Sequence, residues 1–97
     1  MNIWENQRTE SLELGTEATL KWSAKFLSEM LIEECAELII SIRHFDRKKQ
    51  TKEDLFLELA DVSILVEHMA DWLDAGGGQF FSARRVKLER LKKRLNA

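Results

Sequence analysis

Residues 51–74, TKEDLFLELADVSILVEHMADWLD, decide the fold class. Thr51 followed by Asp54 three residues later resembles a capping box, with Asp in place of the usual Glu. Leu55, Leu59, Val62, Leu65, Val66, Met69 and Leu73 then recur at steps of three and four. That is the period of one face of an α-helix and not the alternation of a strand. The spacing predicts a helix to about Asp74, ended by Gly76-Gly77-Gly78, since glycine readily takes the left-handed conformation favoured at helix C-termini.

The same period runs upstream. Leu20, Phe26, Leu27, Met30, Leu31, Cys35, Leu38, Ile39 and Ile42 predict a helix from Thr16, read as its N-cap, to about Phe45. His44–Gln50 is polar and basic and reads as a loop. Residues 2–13 suit a short amphipathic helix anchored by Ile3, Trp4, Leu12 and Leu14, with Gly15 interrupting. A last helix is expected over Phe80–Leu95, with Phe80, Phe81, Val86, Leu88, Leu91 and Leu95 as a sparse apolar face. The chain has no proline, and its 97 residues suit a single domain over 1–97. The expectation is an all-α, antiparallel helical bundle with short connections.

Composition narrows the function classes. Apolar residues are 44% and charged residues 33% of the chain, a globular balance. The lone cysteine, Cys35, excludes an internal disulfide and a Cys-based zinc site, and reads as a small core filler. Met1-Asn2-Ile3-Trp4-Glu5 does not resemble a signal peptide, and no stretch approaches the roughly 20 apolar residues of a membrane span. A cytoplasmic protein without a membrane partner is the expectation. The net charge of −2 conceals an asymmetry: Arg84–Arg94 holds seven basic residues against Glu89 alone. A basic end on an acidic body can bind phosphates, nucleic acid or another subunit. No nucleic-acid-binding motif is present, so nucleic acid is not expected as a partner.

The residues that point to chemistry are Glu33, Glu34 and Glu37 on one helix and Glu58 and Asp61 on the next. A three-residue step turns a helix by about 300°, so Glu34 and Glu37 project from nearly one side, as do Glu58 and Asp61. If the helices pack antiparallel, four carboxylates converge. Without a cation that is unfavourable, and some groups would stay protonated. All-oxygen sites suit Mg²⁺, Mn²⁺ or Ca²⁺, and Mg²⁺ commonly bridges to substrate phosphates. The alternative is a solvated acidic face, since Glu is a good helix former. Asp61 is a poor mid-helix choice and argues against it.

Glu33-Glu34-Cys35-Ala36-Glu37-Leu38, then Glu58-Leu59-Ala60-Asp61-Val62, resembles the EExxE…ExxD signature of the MazG-like, all-α nucleoside triphosphate pyrophosphohydrolases. The similarity extends from about Trp22 to Leu95. It implies an oligomer, a homodimer or homotetramer, and Mg²⁺-dependent hydrolysis of nucleoside triphosphates to monophosphate and pyrophosphate, usually to cleanse the nucleotide pool. By the resemblance Glu34, Glu37, Glu58 and Asp61 are metal ligands for Mg²⁺, with Mn²⁺ a possible substitute. Glu33 or Glu34 orients the attacking water, and Lys87, Arg90 and Arg94 contact phosphates. Trp22, one turn before Phe26, is a candidate for stacking on the base, against a core role. His44 reads as a helix-end residue, and His68 as a structural residue rather than a partner of the metal site. The rival is a non-catalytic helical module whose basic C-terminal helix binds an acidic partner. A di-iron bundle is disfavoured, because neither His44 nor His68 has a Glu three residues before it.

Overall fold

The computed structural model describes residues 2–97. Four helices follow one another: α1 (Ile3–Trp22), α2 (Ala24–Asp46), α3 (Lys52–Leu73) and α4 (Gly78–Leu95). Among the described residues there is no strand. The chain forms an all-α helical bundle, and no helix in it is long and apolar enough to cross a membrane.

The capping box at the start of α3 forms as the sequence predicts. Thr51 Oγ1 accepts from the Asp54 backbone N–H at 3.2 Å, and Asp54 Oδ2 accepts from the Thr51 N–H at 3.3 Å. The helix ends at Leu73, and the positive φ angles that reverse the chain fall at Gly76 (87°) and Gly77 (72°). Gly78 instead opens α4, two residues before the expected start.

The N-terminal half departs from expectation. Gly15 interrupts nothing: α1 runs unbroken through it for 20 residues. The glycine is there for proximity, because a Cβ at this position would lie 2.5 Å from Cδ2 of His68 on α3. Thr16 is therefore no N-cap, and its hydroxyl donates to the Leu12 carbonyl one turn back within the helix. The break comes at Ser23, whose φ of 96° turns the chain, and whose hydroxyl caps α2 by accepting from the Phe26 N–H at 3.2 Å. A serine at positive φ is uncommon, and sequence period alone does not reveal it. The loop after α2 is correspondingly shorter than expected, since His44 lies in the last turn of the helix.

α2 and α3 form the main antiparallel pair, and α1 crosses α3 where Gly15 meets His68. His68 Nε2 lies 2.8 Å from the Ser11 carbonyl, and Ser11 Oγ donates to Glu67 Oε1 at 3.1 Å. His68 is thus a structural link between α1 and α3.

What the single chain lacks is a core. Among the described residues, Leu65 is the only buried hydrophobic side chain, while Ile32, Ile39, Phe56, Leu57 and Trp4 are all well exposed. Cys35 and Phe26 are also exposed and fill no interior. The chain presents 7965 Å² to solvent. A compact monomer of this mass would present about 5,700 Å². The radius of gyration is 15.6 Å, against about 12.5 Å for a compact domain of this length.

Candidate metal centre

The antiparallel α2–α3 pair sets Glu34 and Glu37 opposite Glu58. One carboxylate oxygen from each of the three lies within 4.8 Å of the other two. Glu34 and Glu58 are half-buried, and Glu37 is exposed. In both half-buried residues Oε2 is shielded from solvent and has no hydrogen-bond donor. An anionic oxygen in that position is costly unless a proton or a cation meets it.

The electrostatics follow. The Glu34 carboxyl is held above its ordinary value, first by desolvation and then by the negative charges of Glu37, Asp61 and Glu58. No basic residue offsets this, for the ion pairs of the described residues (Lys25–Glu29, Arg85–Glu89 and Lys92–Glu89) all lie elsewhere. Asp61 stands on the same helix as Glu58, one turn on. It falls outside the three-oxygen group, yet its charge is felt at Glu34.

The other residues singled out in the sequence are less closely assembled. Glu33 is exposed beside Glu34 and outside the group. Lys87, Arg90 and Arg94 lie on α4, exposed, and α4 has no extended packing against any other helix of the chain. Trp22 ends α1, half-exposed, with its ring centroid 5.9 Å from that of Phe26 across the Ser23 break. Phe26 itself is about two turns before Glu34 along α2.

Three residues that sequence reasoning did not place in the site adjoin it. Ser41, His44 and Gln50 line a shallow depression of ≈ 200 Å³ with Glu37, Ile40 and Glu58. Ser41 is buried, and its hydroxyl accepts a hydrogen bond from the Gln50 side-chain amide. The signal was available: Ser41 and His44 follow Glu37 by four and seven residues, the spacing of one helix face.

What this geometry offers is a set of hard oxygen donors, two of them unpartnered, at the mouth of a polar depression. The chain was compared with protein-family models, with curated proteins and with solved structures. It matches none of them.

Proposed function

We propose that the protein is a divalent-cation-dependent hydrolase that cleaves nucleoside triphosphates to monophosphate and pyrophosphate. The observation that carries the reading is the convergence of Glu34, Glu37 and Glu58 with two shielded oxygens that no protein donor meets. Those oxygens suit Mg²⁺, or Mn²⁺ in its place, because both are hard cations bound by carboxylates. Asp61, one turn from Glu58, is the fourth donor. The EExxE…ExxD resemblance then selects phosphate-anhydride hydrolysis from the chemistries such a site could serve.

The residues would divide the work as follows. Glu34, Glu37, Glu58 and Asp61 hold the cation, and Glu33, outside the group, keeps a carboxylate free to orient water or take its proton. The chemistry a bound cation supplies is charge neutralisation on the triphosphate and acidification of a coordinated water. Lys87, Arg90 and Arg94 are the cationic groups for the departing pyrophosphate, and Trp22 offers a ring for the base. In the described chain α4 stands apart from the carboxylates, so this reading includes a homo-oligomer, dimer or tetramer, in which the exposed apolar faces are covered. A cytoplasmic role in cleansing the nucleotide pool belongs to the same reading.

A second reading is favoured by α4 itself. A basic helix with no extended packing in its own chain is what a non-catalytic module for an acidic partner would present. Pyrophosphate release from a panel of ribo- and deoxynucleoside triphosphates, with Mg²⁺ or with EDTA, separates the two. The enzyme reading predicts Mg²⁺-dependent turnover that Asp61→Asn abolishes with helicity intact. A folded, active Asp61→Asn protein would sink the ligand assignment, and no turnover on any substrate favours the module.

A further inference from the structure

The α4 helix raises a physical problem of its own. Its 18 residues extend about 27 Å. Every position from Gly78 to Leu95 is exposed, and its N-cap, Gly77, supplies no side-chain hydrogen bond. The tie to the rest of its chain is at one end, where the Arg8 guanidinium sits 4.7 Å from the centre of the Phe81 ring. An isolated helix of this length is marginal in water, and most helical stability comes from packing an apolar face. α4 has such a face: beyond Phe81, which meets its own chain, Leu88, Leu91 and Leu95 follow at steps of seven, three and four residues, the repeat of a helix-packing seam.

The molecule also holds a cavity shaped for such a helix. Between α1 and α3 lies a groove of ≈ 750 Å³, with Trp4, Leu14, Phe56, Leu59 and Ile64 on its walls. Glu10 and Glu67 line it as well, with Arg8 as the counter-charge. The two helices that form it carry ten acidic residues against three basic ones, of which Glu58 and Asp61 belong to the α2–α3 cluster and Asp54 to the capping box. The stretch Arg84–Arg94 of α4 carries seven basic residues against one acidic. Seam meets groove in hydrophobicity, and the flanks meet in charge.

We propose that α4 of one chain seats in the α1–α3 groove of a second copy, reciprocally, as an exchanged helix. The chain's surplus of about 2,200 Å² over a compact monomer is what each partner of an obligate homodimer buries. A two-fold exchange fills both grooves with the same contact and leaves no open end. Within its own chain α4 departs from the far end of α3, beyond Leu73, whereas the groove follows α3 between Phe56 and His68. This inference rests on the oligomeric part of the proposed function, and it bears on the hydrolytic part only through where it places Lys87, Arg90 and Arg94.

The test uses the full chain. Light scattering at micromolar concentration gives the mass. An equimolar mixture of ¹⁴N- and ¹⁵N-labelled protein, co-refolded and treated with a carbodiimide, joins lysines to carboxylates in direct contact. The expected result is at least twice the monomer mass, with mixed-isotope links from Lys87, Lys92 or Lys93 to acidic residues of α1 or α3. The double variant Leu88→Glu/Leu91→Glu, whose sites are exposed in the single chain, should halve the mass and abolish those links. A monomeric wild type would overturn both the oligomer and the exchange. An oligomer whose α4 links run elsewhere, or join only like isotopes, would overturn the exchange alone, as would a double variant of unchanged mass. The wild-type map decides the matter even where the variant fails to fold.

Discussion

Glu34 is where burial and charge bear on one side chain. A carboxyl whose pKa is raised on folding binds its proton more tightly in the native state than in the unfolded one. Its contribution to stability is therefore full below its ordinary pKa and is lost as pH rises through the raised value. With EDTA present, thermal melts across that window should show this group favouring the native state on the acidic side; Glu34→Gln, which keeps the shape and removes the charge, should flatten the dependence. Added Mg²⁺ competes with the proton, so its stabilisation should grow as pH rises. A Mg²⁺ shift that is equal at both ends of the window, or absent, would remove the cation from the cluster. Gly15 makes a separate test. Adding a methyl group against His68 overpacks the α1–α3 crossing, so Gly15→Ala should cost about 1–3 kcal/mol in denaturant unfolding. A neutral or stabilising substitution would show that the crossing yields.

At the scale of elements, each helix end has an identifiable cause. The Thr51–Asp54 box satisfies backbone donors that would otherwise be orphaned at the start of α3. Thr51→Ala should therefore cost about 1 kcal/mol, measurable as a shift in the urea midpoint with an unchanged m-value. This box, the α3 period and the glycine reversal were legible in the sequence, because each is written in neighbouring residues. The N-terminal boundary was not. Gly15 reads locally as a breaker, yet it meets a histidine 53 positions away, and the real break sits on Ser23, an N-cap residue with no glycine or proline beside it to mark a turn. The candidate site divides in the same way. Glu34, Glu37 and Glu58 could be paired from their spacing on two neighbouring helices. The depression beside them depends on Gln50 folding back from the α2–α3 loop onto Ser41, a contact that no helical period encodes.

The whole molecule is dominated by unspent apolar surface. With Leu65 the only buried hydrophobic side chain among the described residues, one chain removes too little surface from water to offset the entropy of ordering four helices. Association should then be coupled to folding, and the melting temperature should rise with protein concentration. Melts that superimpose over a hundredfold dilution would indicate a monomer stable alone. Composition hinted at this, because 97 residues make a marginal core, but which faces stay open depends on how α1 crosses α3 and on α4 leaving the bundle. The same asymmetry bears on the proposed chemistry: the carboxylates proposed as ligands lie in the α2–α3 seam, while the basic residues proposed for phosphate lie on α4, which packs little against its own chain. The proposed reaction is hydrolysis at the α-phosphorus of a nucleoside triphosphate. Turnover in H₂¹⁸O with Mg²⁺, followed by mass analysis of the products, tests it most directly. Attack of water at the α-phosphorus places one ¹⁸O in the nucleoside monophosphate and none in the pyrophosphate. Label in pyrophosphate or orthophosphate, or turnover that persists in EDTA, would contradict it.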